Sequence, residues 1–230
     1  MLTCEQLELT QGAFHLHADV AFGDGITAII GPSGAGKSTL LLAIAGFVGA
    51  QAGRISYGGN SFTDMAPGKR PVSMLFQDNN LFPHMTIGEN VGLGLRRNRR
   101  LNDEEHDRVA AVLNRVGLKD MTKRKPSGLS GGQQSRVALA RLLVADRPVI
   151  LLDEPFAALG PGLKDEMLDL MRDSLTGSTV LMVTHDPDDA RRVADQVAWI
   201  ADGVVNPPRA TREIFANPPN GLQAYLGKVS

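Results

Sequence analysis

Three observations in this sequence predict an α/β fold with a mixed sheet core, an antiparallel β subdomain and an inserted α-helical subdomain. Residues 26–30, 149–152 and 179–183 are almost continuously apolar, as strands of a sheet buried on both faces must be. A glycine-rich loop follows the first of these runs and leads into a helical pattern, the strand–loop–helix order of a phosphate-binding site. From Ile87 to Arg141 apolar residues recur at helical spacing, with little sign of strand. The expected organisation is a core built from residues 1–84 and 146–206, a helical insert over 85–145 and a C-terminal tail over 207–230.

Composition sets outer bounds. With 230 residues, 43% apolar and 21% charged, the chain can bury a substantial core. A formal net charge of −1 gives no electrostatic case for nucleic acid or an anionic lipid surface, so no nucleic-acid partner is expected. The single cysteine, Cys4, excludes an internal disulfide and a zinc cluster and fits a reducing compartment. Glu5, Glu8 and His15 interrupt the first apolar run, unlike a signal peptide. No window approaches the ~18 apolar residues of a spanning helix. If the chain works at a membrane, another chain must hold it there.

Residues 2–10 and 14–22 alternate apolar and polar side chains and read as antiparallel strands joined by the turn Gln11-Gly12-Ala13. The strand at 26–30 runs into Gly31-Pro32-Ser33-Gly34-Ala35-Gly36-Lys37-Ser38-Thr39, which matches G-x-x-x-x-G-K-[ST] in full, and then into a helix over 40–46. Glycines let backbone N–H groups converge on a β-phosphate without obstruction by Cβ. Lys37 is placed to reach the β- and γ-phosphates, and Ser38 to offer a hydroxyl to Mg2+. A strand at 53–57, a turn at 58–60 and a polar loop to Arg70 precede a buried strand over 71–76. That strand delivers Gln77 to the edge where α/β sheets bind ligands, where its amide could ligate Mg2+ or orient a water.

In the helical stretch, Asn102 with Asp103, Glu104 and Glu105 starts a helix over 103–116 that Gly117 ends. The basic run Arg96-Arg97-Asn98-Arg99-Arg100 is short and lacks interleaved aromatics, so it reads as a solvated loop. Leu129-Ser130-Gly131-Gly132-Gln133 opens a further helix. Two glycines and a serine there leave backbone N–H groups and a hydroxyl at the positive end of the helix, which suits a phosphate. Two phosphate cradles in one chain mean either two nucleotides per chain or nucleotides shared between two chains.

The strand over 148–155 ends in Asp153 and Glu154. Four apolar residues before Asp153 put it at the sheet edge beside the phosphate loop, able to hold Mg2+ through its water shell, with Glu154 able to accept a proton from an attacking water. A helix over 161–174 and a buried strand over 178–184 follow, and His185 stands at the end of that strand, either against a γ-phosphate or as a cap. A helix over 188–193, a strand over 196–200 and a turn at 202–203 lead to a proline-containing tail with one short helix.

In this order the stretches resemble the ATP-binding subunit of ABC transporters over essentially the whole chain: a Walker A loop at 31–39, a Q-loop at Gln77, a signature at 129–133, a Walker B strand at 149–153 with Glu154, and a switch histidine at His185. The resemblance implies a P-loop NTPase of the ABC ATPase fold, with ATP and Mg2+ as cofactors. It also implies a head-to-tail homodimer with each ATP between one chain's Walker A and the other's signature. Gly31, Pro32, Ser33, Gly34, Ala35, Gly36, Lys37, Ser38 and Thr39 would then hold the nucleotide, together with Ser130, Gly131, Gly132 and Gln133 of the partner subunit. Ser38, Gln77 and Asp153 would serve the metal, and Glu154, His185, Lys37 and Gln77 the chemistry. Residues 70–82 look like the ATPase of bacterial thiamine importers. This implies a transmembrane permease as direct partner, an extracytoplasmic solute-binding protein as an indirect one, and a peripheral location on the cytoplasmic face of the bacterial cell membrane.

Three positions depart from the family pattern. After the signature, Ser135 stands where arginine is common, which implies an altered outer face of the helix that follows but unchanged phosphate contacts. Gly160 stands where an aspartate is usual, which implies weaker coupling between the two ATP sites. Gln11 is nearest to the position of the usual adenine-stacking aromatic, with Phe14 close by. Alternatives within the family are another small-molecule importer or an exporter. A soluble ABC ATPase acting on DNA or ribosomes would carry coiled-coil insertions or a second cassette, which this chain does not have. A small-molecule kinase would have no use for residues 129–133.

Overall fold

The computed structural model describes residues 1–95 and 100–227. In chain order, β1 (Leu2–Gln11), β2 (Phe14–Phe22) and β3 (Gly25–Ile30) lead into α1 (Lys37–Ala45). β4 (Ala52–Tyr57), β5 (Asn60–Ser61) and β6 (Val72–Leu75) follow, then α2 (Ile87–Gly92), α3 (Asp103–Arg115) and α4 (Gly131–Val144). Next come β7 (Val149–Asp153), α5 (Pro161–Ser174), β8 (Thr179–Val183), α6 (Pro187–Val193) and β9 (Gln196–Ala201). The chain continues through β10 (Val204–Val205), β11 (Arg209–Ala210), α7 (Thr211–Ala216) and α8 (Asn220–Leu226). It divides into two compact units, one of Met1–Met74, Pro148–Pro155 and Gly177–Ser230, the other of Leu75–Arg147 and Phe156–Thr176.

The first unit is organised on a sheet of strand order β5-β4-β1-β2-β10-β9-β3-β8-β7-β6. β9, β3, β8 and β7 are mutually parallel, whereas β1, β2 and β4 pair antiparallel. The parallel strands β3, β7 and β8 are buried almost throughout, which is why they read as apolar runs rather than as alternations. Cys4 packs in this core, and burial pushes its thiol up to about 12, the behaviour of an inert small hydrophobe. Arg70, expected in a polar loop, is buried instead. Its guanidinium donates to Ala43 O at 2.8 Å and Ile44 O at 2.9 Å, satisfying carbonyls at the end of α1, and to Met65 O of the loop after β5 at 2.8 Å.

The second unit is helical, with α4 packed against α2, α3 and α5. Its helix starts are locally encoded: Thr86 with Glu89, Asn102 with Glu105 and Ser130 with Gln133 each form a reciprocal capping box. The loop between β6 and α2 is fastened by buried Asn90, which accepts from Phe82 N and donates to Phe82 O, Met85 O and Thr86 O. Arg141 of α4 donates to Asn79 O and Asn80 O at 2.8 Å each. Ser135 is buried rather than on the outer face, where its hydroxyl accepts from Asn79 Nδ2 at 3.3 Å. The bulk of the basic run, residues 96–99, lies outside the described residues.

The tail differs from expectation. Residues after 203 form two short strands and two short helices, and α8 packs against β9.

Candidate active site

Sheet register gathers the site. Ile29 pairs with Val183, and Val183 with Asp153, so β3, β8 and β7 end in one row. The residues that follow each strand, Gly31, Thr184–His185 and Glu154, emerge side by side at the carboxyl edge, the place where parallel sheets bind ligands.

Between β3 and α1 the loop takes backbone conformations that glycine alone adopts without strain: Gly31 at φ +152°, Gly34 at +79° and Gly36 at +99°. A Cβ on Gly36 would stand 2.4 Å from Phe14 Cζ, so the ring lies directly against the loop. Gly36 is the N-cap of α1 and provides no side-chain cap, and the first turn has no acidic residue. The helix start is therefore open to an anion.

Lys37 folds back on its own loop, donating to Gly31 O at 2.8 Å and Pro32 O at 2.9 Å. Burial lowers its pKa, opposed by the nearby Glu154 and Asp153 carboxylates. Ser38 Oγ donates to Asp153 Oδ1 at 2.8 Å. Burial raises the Asp153 pKa, the Ser38 hydrogen bond pulls it down, Glu154 raises it further and Lys37 lowers it. A hydroxyl and a carboxylate in contact are hard oxygen donors of the kind Mg2+ takes. Among the described residues no cluster of three His, Cys, Asp or Glu could hold a metal alone.

Glu154 follows β7 with φ +47°, an uncommon value for a non-glycine residue, and its N–H donates to Val183 O at 3.0 Å. This local twist turns the side chain from the strand toward His185. Glu154 Oε2 lies 3.1 Å from His185 Nδ1, so the tautomer with Nδ1–H donates to the carboxylate. The Glu154 side chain is 26% exposed and that of His185 62%, so the pair faces solvent on the histidine side.

Beside the loop lies a cleft of about 470 Å3, lined on one wall by Pro32, Ser33, Gly34 and Ala35 and on the other by Phe14 and Asp202. Phe14, not Gln11, is the aromatic that lines it. The turn Asp202–Gly203, which sequence reading treated only as a turn, forms part of the same cleft. In the second unit, Gln77 is exposed two residues beyond β6. The start of α4 is self-capped there: Gln133 N donates to Ser130 Oγ at 3.3 Å and Ser130 N to Gln133 Oε1 at 3.1 Å. This consumes two of the helix-end donors and leaves the first-turn N–H of exposed Gly131 and the Ser130 hydroxyl proton, whereas Gly132 is buried with Leu163 packed close to it.

The family model described as ABC transporter matches residues 19–157. The thiamine import ATP-binding protein ThiQ of Ruegeria sp. (strain TM1040) is 55% identical over 99% of this chain and 100% of its own length. The ThiQ protein of Cereibacter sphaeroides is 54% identical over the same shares. Among solved structures, the dimeric structure of MJ0796, a bacterial ABC transporter cassette, is 29% identical, with a TM-score of 0.76 over 92% of this chain and 99% of that one. A dimeric post-hydrolysis state of the same cassette bound to ADP and Pi gives 28% and 0.74 over the same shares.

Proposed function

We infer the function from one premise: this chain belongs to the ABC transporter family. It is an ATPase whose hydrolysis is coupled to transport. The solute we assign is thiamine or a related compound, taken up through a separate membrane permease against which the chain sits peripherally. Full-length similarity to proteins named for thiamine import supports this assignment. No helix among the described residues is long and apolar enough to cross a membrane.

The observation that carries the hydrolytic reading is the Glu154–His185 contact at the same strand edge as Lys37, Ser38 and Asp153. ATP would place its phosphates in the 31–39 loop and its base in the cleft against Phe14. Lys37 would leave the Gly31 and Pro32 carbonyls for the β- and γ-phosphates, and the phosphate charge would restore the ammonium that burial disfavours. Glu154 would polarise a water for in-line attack on the γ-phosphorus, taking its proton as the bond to the β-phosphate oxygen breaks. His185 would hold the Glu154 carboxylate and the γ-phosphate in that geometry. Ser38 and Asp153 would hold Mg2+, which supplies charge neutralisation to the phosphates.

The start of α4 would complete the site in trans. Its Ser130 hydroxyl and its Gly131 N–H would meet the γ-phosphate of ATP bound to the other copy, so two chains would share two nucleotides head to tail. The fastened loop 79–86, carrying exposed Phe82, is the surface we assign to the permease.

Replacing Glu154 by Gln tests the chemistry. ATP binding should persist while turnover falls about 100-fold or more; turnover at the wild-type rate removes Glu154 from the role. Uptake of labelled thiamine by cells with and without the chain tests the cargo. Uptake that does not depend on the chain refutes the thiamine assignment and leaves the ATPase reading standing.

A further inference from the structure

His185 has an exposed side chain, so its ring is not confined by packing. Its position is set by its backbone. On the α6 side, Thr184 Oγ1 donates to Asp189 Oδ2 at 2.7 Å, and Asp186 N donates to Thr184 Oγ1 at 3.0 Å. These bonds fix the residues on either side of His185. The carbonyl of His185 itself is held from forty residues away, where Tyr225 Oη donates to it at 2.8 Å.

Tyr225 is carried by α8, and α8 is anchored. Leu222 is buried, and Gly221 lies close to β9, where a Cβ would stand 3.5 Å from that of Ala201. Burial, with Asp186 and Glu154 nearby, holds the Tyr225 pKa up, so the phenol remains a neutral donor in the physiological range. The contact chain therefore runs from the sheet through α8 to the His185 carbonyl, and from the His185 ring to Glu154.

We propose that Tyr225 is a positioning residue for ATP hydrolysis, latching the His185 backbone to the C-terminal helix so that the imidazole stays against Glu154. The proposal rests on the reading of Glu154 and His185 given above. Tyr225 acts through the His185 carbonyl. The C-terminal tail is thus part of the catalytic support, and release of α8 unlatches the histidine.

The test is steady-state ATP turnover of the full chain assembled with its permease, for Tyr225→Phe, His185→Ala and the double variant. Tyr225→Phe keeps the ring and removes only the donor. The expected result is a fall in kcat of about 3- to 10-fold, the scale of one neutral hydrogen bond, with KM for ATP and the melting temperature unchanged. The double variant is expected to be no slower than His185→Ala alone, because a residue that acts through His185 has nothing left to position. If His185→Ala loses turnover but Tyr225→Phe keeps the wild-type kcat, or if the two losses multiply in the double variant, the latch is wrong. If His185→Ala itself turns over at the wild-type rate, the assignment of His185 fails and the latch falls with it.

Discussion

Glycine stands at the start of both α1 and α4, and the two starts are chemically unlike. At α1 the capping position is Gly36, with no side-chain cap, and the loop before it is bent by three left-handed glycines around Lys37. At α4 the capping residue is Ser130, and it is already satisfied by Gln133 in a reciprocal pair. The first start is an open cradle whose lysine bonds to its own loop carbonyls, so it needs an anion to be complete. The second folds without one and has only the leftover donors of Ser130 and Gly131 to offer. Under the proposed function this difference would divide the labour: the α1 end would bind ATP unaided, and the α4 end would add to an ATP bound on another copy.

Alanine at each glycine separates the two ends most strongly. Gly36→Ala forces a side chain into φ +99° and onto the Phe14 ring, so about 1–3 kcal/mol of stability should be lost and ATP binding with it, read by thermal melting and titration. Gly131→Ala meets nothing closer than Leu159 Cδ2 at 3.7 Å, so melting and ATP binding to the isolated chain should not move. Turnover should nonetheless fall about 10-fold or more, because the new methyl crowds the N–H groups offered to the γ-phosphate. Equal losses of ATP binding at both positions would erase the contrast.

Asp153→Asn tests the electrostatic state of the open cradle. Folding raises this carboxyl above its ordinary 3.8, so the fold disfavours the ionised form. That penalty is absent below pH 3.8, grows as pH rises toward the folded pKa and is complete above it. Without nucleotide, the variant should therefore melt higher than wild type at neutral pH, with the gap closing in acid, while the added stability from Mg-ATP is lost. A variant that melts lower at neutral pH would show that the Ser38 hydrogen bond outweighs the burial.

The smallest effect concerns α5. Gly160 caps it without a side-chain bond and has open space around its Cβ position, so Gly160→Asp should fit and add a few tenths of a kcal/mol. If the missing carboxylate weakens communication between the ATP sites, the same change should raise the Hill coefficient of turnover. Unchanged cooperativity would discard that link.

What could be read from residue order was what is encoded locally. The glycine loop, the apolar strands and the start of α4 each declare themselves within about ten residues, and α5 begins and ends at the expected positions 161 and 174. The contacts that escaped are long-range. Phe14 lines the cleft together with residues 32–35 and Asp202, all far from it in sequence, and alternation along a strand does not reveal that closeness. Ser135 is buried because Asn79, fifty-six residues earlier, is brought to it. Arg70 looked like part of a charged loop, and nothing near it announces that its partners are the carbonyls ending α1. Tyr225 sits in a proline-flanked tail whose own sequence gives no reason for it to reach His185. Hydrogen bonds to backbone carbonyls leave no pattern in the sequence of the residue that accepts.

The account stands most directly on the mass and nucleotide content of the Glu154→Gln protein saturated with Mg-ATP, measured by light scattering alone and beside its permease. The prediction is a dimer holding two ATP, and adding Gly131→Ala should return a monomer that still binds one. A Glu154→Gln chain that binds ATP yet stays monomeric under both conditions would contradict the shared site.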